Sequence, residues 1–145
     1  MAKVRYFKCN VCGKIVAVIN DTPTDLICCG TKMDELKGDK KDDFILEKHV
    51  PVYEKRKNKV KVSVGSVIHP SNYVHYIEWV ALKTNKGYQI KMLKPGETPI
   101  VSFILDEDEE IEEISSYCNI HSLYSTTFVE ANNVDEDDCG CDIKL

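Results

Sequence analysis

His69-Pro-Ser-Asn-Tyr-Val-His75 carries two imidazoles six positions apart, across a loop started by a proline. The second opens a run in which His75, Ile77, Trp79 and Ala81 alternate, as residues on one face of a strand do. A histidine on such an apolar face needs a partner, because an unsatisfied buried polar group costs roughly 1–3 kcal/mol. Downstream, Cys118-Asn119-Ile120-His121 puts a thiol and an imidazole in one tight loop, and upstream Glu47-Lys48-His49-Val50-Pro51 supplies another imidazole. These stretches use all four histidines of the chain. Taken singly, each histidine has an ordinary structural explanation: a strand end, a turn, a satisfied core residue. Taken with Cys118 they make a metal-ligand set. Four imidazoles and one thiolate also leave a six-coordinate metal one position for a small reactant.

A second donor set lies near the N-terminus. Cys9-x-x-Cys12 is followed, after fifteen residues, by Cys28-Cys29. Residues 15–19 are a β-branched strand candidate, residues 20–23 have turn chemistry, and Leu26-Ile27 reads as a short return strand. Gly13 and Gly30, each just after a cysteine pair, suit the tight backbone needed where thiolates converge. A segment this short buries too little surface to fold alone, and a tetrahedral tetrathiolate site supplies the missing stability. A structural zinc ribbon satisfies Cys-x-x-Cys equally well. The adjacent cysteines instead resemble the closing pattern of desulforedoxin, the small rubredoxin-like family with iron in a distorted tetrahedral sulfur site. That resemblance, carried by Cys9, Cys12, Cys28-Cys29-Gly30 and Met33, favours iron over zinc.

The elements that must position these donors are strands. Lys37-Gly38-Asp39-Lys40-Lys41-Asp42-Asp43 is charged and lacks apolar periodicity, so it reads as a domain boundary. Beyond it Val60, Val62 and Val64 alternate with polar residues. Further strand candidates are 73–82, 87–93, 99–105 and 124–129, with Lys94-Pro95-Gly96-Glu97 as a turn. This spacing predicts an immunoglobulin-like β-sandwich, and so an all-β protein in which a small metal module precedes the sandwich. The acidic block 106–113 reads as a solvated loop or helix face, with Ile111 and Ile114 pinning a short helical turn. The expected division is a metal module over 1–36, a sandwich over 37–131 and a polar, acidic, mobile tail over 132–145. The tail's Cys139-Gly140-Cys141 receives no role.

With 145 residues, 43% hydrophobic and 30% charged, the composition is that of a globular protein with one ordinary domain or a small and a medium one. A net charge of −5 argues against a nucleic-acid partner. No apolar run approaches the ~20 residues of a membrane helix. Met1-Ala2-Lys3-Val4-Arg5 leads into Cys-x-x-Cys without the look of a signal peptide, so the expected location is cytoplasmic. Seven cysteines, two of them adjacent, fit reduced metal-binding thiols better than disulfides.

The motifs Glu47-Lys48-His49-Val50-Pro51, His69-Pro70 through His75, Ile77-Glu78-Trp79 and Cys118-Asn119-x-His121 resemble the superoxide reductase signature. With the N-terminal module, the chain to about residue 130 resembles the desulfoferrodoxins, two-iron superoxide reductases. The resemblance implies a tetrathiolate iron at Cys9, Cys12, Cys28 and Cys29. It implies a second iron with His49, His69, His75 and His121 in a plane, Cys118 axial and the opposite position open in the ferrous state. Glu47 matches the carboxylate that takes that position after oxidation, and Lys48 the cation at the open face. The implied reaction gives one electron to superoxide and releases hydrogen peroxide without forming dioxygen. A rubredoxin-type donor re-reduces the iron, and the family is commonly homodimeric. Two residues depart from the pattern: Ser122 and Tyr124 stand where the family usually has Gly and Trp. The main competing readings are a zinc-binding interaction module, an electron carrier using both metals, and a copper protein. The basic stretch Lys55 to Lys61 reads either as a superoxide-steering patch or as lysines guarding strand edges.

Overall fold

The computed structural model describes residues 4–39 and 48–126. The chain divides into two compact units, one ending at Lys37 and one beginning at Gly38. Apart from a helical turn at Lys48 and His49, the regular elements of the described residues are β-strands. No helix of the described residues is long and apolar enough to cross a membrane.

The first unit is a three-stranded antiparallel sheet with a small hairpin. β1 (Arg5–Lys8) lies between β2 (Ile15–Val18) and β5 (Asp34–Leu36). β3 (Ile27–Cys28) and β4 (Thr31–Lys32) form the hairpin. The expected return strand at Leu26-Ile27 therefore pairs forward with β4 and not back onto β2. The reason is local: Cys29 and Gly30 at φ 53° and 74° make a turn tight enough to close the hairpin at once. Only Tyr6, Cys9 and Met33 are buried among the described apolar residues of this unit. So small a core leaves its stability to the four thiols.

The second unit is a sandwich of two antiparallel sheets. One has the order β10-β7-β6, from β6 (Pro51–Arg56), β7 (Lys59–Val64) and β10 (Ile100–Ile104). The other has the order β12-β11-β8-β9, from β8 (Ile77–Thr84), β9 (Tyr88–Met92), β11 (Ile111–Cys118) and β12 (Ser122–Thr126). Val60, Val62 and Val64 of β7 are fully buried and meet Ile77, Val80, Leu82, Phe103, Leu105, Ile114 and Cys118 in one core. Alternating β-branched residues thus make the inner face of β7 as the period-2 pattern requires. The Lys94–Glu97 turn forms with Gly96 at φ 95° and Glu97 N–H donating to Lys94 C=O at 3.0 Å.

Two expectations are corrected. The segment 73–76 is not strand: the Asn72 Oδ1 accepts N–H groups of Val74 and His75 at 3.0 and 2.9 Å, holding a loop, and β8 starts at Ile77. His75 thus reaches its place from a loop and not from a strand face. Ile111 and Ile114 pin no helical turn. They belong to β11, where pairing with β8 and the inward alternation of Ile114, Ser116 and Cys118 outweigh the acidic residues on the outer face. The acidic residues 106–109 form a turn, with Glu109 N–H donating to Asp106 C=O at 3.1 Å. The last strand starts at Ser122, and the expected continuation through 127–129 lies outside the described residues, as does the 132–145 tail.

Candidate metal centres

In the first unit Cys9, Cys12, Cys28 and Cys29 bring one sulfur each within 4.8 Å of one another. The knuckle that presents the first pair is closed by Gly13 N–H donating to Cys9 C=O and Cys9 N–H donating to Lys14 C=O, both at 2.9 Å. Gly13 sits at φ 82°. Cys12 and Cys28 sulfurs are 3.8 Å apart, those of Cys28 and Cys29 4.0 Å. Backbone N–H groups of Cys12 and Val11 pull the Cys9 thiol down to about 6. The neighbouring sulfurs, Cys9 first, push Cys28 up to about 12. The Cys9 thiolate forms readily here while Cys28 and Cys29 resist, because negative charges accumulate at one point. A bound cation removes that conflict, so the donor set fits a metal.

The second constellation draws on three regions of the sandwich. Lys48 and His49 are helical just before β6, His69 follows the turn after β7, and His75 ends the loop before β8. Cys118 closes β11, and His121 precedes β12. His49, His75, Cys118 and His121 present one ligand atom each within 4.8 Å of one another. His69 falls outside that tightest group but adjoins it, its Nε2 being 3.1 Å from His49 Nε2.

The four rings form a closed square. Neighbouring centroids are 4.5 Å (His49–His69), 4.6 Å (His69–His75), 5.2 Å (His75–His121) and 4.7 Å (His121–His49). Each adjacent pair is steeply inclined, at 67° to 84°. The diagonal His49–His75 spans 6.2 Å. Ring nitrogens converge from all four histidines. His69 Nδ1 lies 2.7 Å from Pro70 C=O, and donating its proton there leaves Nε2 a lone pair aimed inward. His49 Nε2 lies 3.1 Å from both His69 Nε2 and His121 Nδ1. His75 Nε2 is buried with no hydrogen-bond partner at all. A buried orphan nitrogen among converging ring nitrogens is what a metal cation would satisfy. Burial holds His69 down to about 4 and lowers His75, so both rings are neutral near pH 7. Burial pushes the Cys118 thiol up, against backbone N–H groups of His121 and Ile120 that favour its thiolate.

Several residues without donor atoms in the centre hold it together. Asn119 Oδ1 accepts from Tyr76 N–H at 2.9 Å and its Nδ2 donates to Val74 C=O at 3.0 Å, tying the His75 loop to the Cys118 turn. The Ser116 hydroxyl donates to His49 C=O at 2.9 Å. Gly65, at φ 91°, lies against the Lys48 backbone. Sequence reasoning passed over Gly65 and Ser116 and gave Asn119 no task. A glycine ending a valine strand, and an asparagine between two ligands, were the available signals.

Lys48 is exposed and its charge acts on His75. Glu47 lies outside the described residues. The basic stretch 55–61 surrounds the β6–β7 turn, at the far end of the six-residue β6 from His49. That is ~20 Å along the strand, beyond the ~8 Å screening length at physiological salt. Steering is therefore a poor account of that stretch, and edge protection suits only Lys55 and Arg56 on the edge strand β6, since Lys59 and Lys61 lie on the central strand β7.

A tetrathiolate module preceding a sandwich with a four-imidazole, one-thiolate centre defines a non-haem metalloprotein of two centres. Residues 41–127 match the family described as Desulfoferrodoxin, and residues 2–36 match its N-terminal domain. The chain is 42% identical over 123 residues to a desulfoferrodoxin homolog of Archaeoglobus fulgidus, covering 85% of this chain and 96% of that one. It is 43% identical over 115 residues to the desulfoferrodoxin of Nitratidesulfovibrio vulgaris, covering 79% and 89%. Among solved structures, the superoxide reductase from Treponema pallidum is 32% identical with a TM-score of 0.72, covering 86% of this chain and 98% of that one. The chain belongs to the desulfoferrodoxin family. Its cofactors are two non-haem irons per chain, to which both donor sets are chemically suited.

Proposed function

We propose that this chain is a superoxide reductase, reducing superoxide by one electron to hydrogen peroxide. The observation that carries the reading is the square of four imidazoles gathered with the Cys118 sulfur, with the orphaned His75 Nε2 as its clearest sign. His49, His69, His75, His121 and Cys118 are the ligands of the catalytic iron; Cys9, Cys12, Cys28 and Cys29 hold the other. When bound, ferrous iron supplies the single electron, and two protons complete the product, so no dioxygen forms.

The remaining work falls to this chain's own groups. Lys48, an exposed ammonium beside His75, attracts the anionic substrate; at about 4 Å a unit charge contributes ~1 kcal/mol in water and ~4 kcal/mol near a protein surface. The His121 N–H, 3.4 Å from Cys118 Sγ, stabilises negative charge on that sulfur and so tempers its electron donation. Asn119 and Ser116 fix the loops that carry His75 and His49. Glu47, which precedes Lys48 in sequence, is assigned as a carboxylate that would join the ligands of the oxidised iron.

Residues 1–36 are assigned to the tetrathiolate module, 37–131 to the catalytic sandwich and 132–145 to an appended acidic tail. A rubredoxin-type protein is the proposed electron donor and a homodimer the proposed assembly. A cytoplasmic setting is proposed as well, since thiolate donors to iron suit a reducing compartment.

The test is metal analysis and absorption spectroscopy of the purified protein, followed by pulsed superoxide. Two irons per chain, a thiolate band that responds to superoxide within milliseconds, and one peroxide per superoxide without dioxygen are expected. Zinc in both centres and no such band after iron reconstitution would overturn the reading.

A further inference from the structure

The family resemblance puts tryptophan where this chain has Tyr124, and the structure shows where that side chain goes. Tyr124 is 1% exposed and its ring packs on the His49 imidazole, with centroids 4.6 Å apart and planes inclined by 32°. His49 therefore has His69 and His121 edge-on at 77° and 84°, and an aromatic face against it from β12. Ser116 is the cross-strand partner of Tyr124 in the β11–β12 ladder, and its hydroxyl holds the His49 carbonyl. Two residues further on, the Thr126 hydroxyl donates to Pro51 C=O. One patch of two paired strands thus grips both the backbone and the ring of a histidine some seventy positions away in sequence.

We propose that Tyr124 is a positioning residue: its ring sets the plane of the His49 imidazole and so the aim of His49 Nε2 at the catalytic iron. The physical reason is torsional. An imidazole turns about its Cβ–Cγ bond in a broad, roughly two-fold potential, so the groups packed against it bias its orientation. His49 donates its lone pair within a square whose neighbouring nitrogens stand 3.1 Å away, so a rotation of the ring moves Nε2 off the common centre. The Ser116 bond fixes where the residue sits; the Tyr124 ring fixes how it is turned. The aromatic ring and not the hydroxyl is assigned the task, which is why phenylalanine is expected to replace it.

This inference rests on iron occupying the His49 centre, and the test separates the two. Iron-loaded wild type, Tyr124→Phe and Tyr124→Leu are compared by electron paramagnetic resonance and absorption of the oxidised proteins, by the rate of iron extraction with a chelator, and by melting. The tetrathiolate iron serves as an internal control within each sample. Tyr124→Phe is expected to keep the wild-type ferric signature of the histidine-cysteine centre. Tyr124→Leu is expected to change that centre's rhombicity, shift its thiolate band and release its iron about tenfold faster, the lower end of what loss of a supporting group costs. A lower melting temperature in Tyr124→Leu with an unaltered ferric signature and extraction rate would mean that the ring only packs, and would overturn the proposal. So would a change in Tyr124→Phe as large as that in Tyr124→Leu. A wild type lacking the histidine-cysteine signal would fault the functional reading instead.

Discussion

Replacing Gly65 by alanine should damage the catalytic centre without touching a ligand. The glycine sits at φ 91° between the segment that carries His49 and the turn that leads to His69. Its N–H donates to Val50 C=O at 3.1 Å, and His69 N–H donates to Val64 C=O at 3.2 Å. A Cβ built at this position would lie 2.3 Å from Val67 O, 2.7 Å from Lys48 O and 2.8 Å from Lys48 C. All three are backbone atoms, so no side chain can swing aside. Widening the Lys48 contact from 2.7 Å to an ordinary 3.4 Å requires 3.4 − 2.7 = 0.7 Å of backbone movement next to His49. The left-handed φ costs of order 1–3 kcal/mol for an L residue. Overpacking adds roughly 1–3 kcal/mol more. A loss of about 2–6 kcal/mol lowers the melting temperature of a domain this size by ~10 °C or more. Chelator extraction should speed up about tenfold or more at the histidine-cysteine iron and stay unchanged at the tetrathiolate iron. Differential scanning calorimetry and a chelator time course measure both. A variant that melts within about 2 °C of wild type and keeps its iron would refute the steric reasoning.

Ser122 stands at φ 74°, where its family usually has glycine. Ser122→Gly should relieve about 1 kcal/mol of strain and raise the melting temperature by a few degrees, read by calorimetry. Lys48→Ile should leave the iron spectrum intact while lowering the second-order rate with superoxide roughly tenfold at low salt, measured by pulse radiolysis against ionic strength. An unchanged rate would defeat the attraction assigned to Lys48. The metal-free protein should lose stability on acidification. His69 is depressed to about 4 in the fold by burial, while the unfolded chain takes up its proton near 6.5. Its contribution is therefore present above about pH 6.5 and is lost as pH falls toward 4, which a pH series of melting curves will show. Removing metal from the four-cysteine unit should unfold residues 4–37 and leave the sandwich folded, visible as collapse of their amide dispersion by NMR.

The donor atoms themselves were legible in the chain. Cys-x-x-Cys with a following Cys-Cys-Gly, and histidines set in short loops beside prolines and asparagines, are local patterns. Local spacing fixes which donors can meet within one turn. The valines of β7 declared their face by alternation for the same reason. Tertiary structure decided what spacing cannot carry. His75 reads as a strand residue by alternation, yet two bonds from the Asn72 side chain hold it in a loop. Ile111 and Ile114 read as a helical turn among acidic residues, yet ladder pairing with β8 makes them strand. The lysines 55–61 gather in sequence near His49, but an extended β6 carries them to the opposite end of the sheet. Above all, the orientation of His49 depends on Ser116 and Tyr124, 67 and 75 positions away. The identity of the ligands is a property of short segments. Their aim is set by contacts between strands that only the folded sandwich brings together.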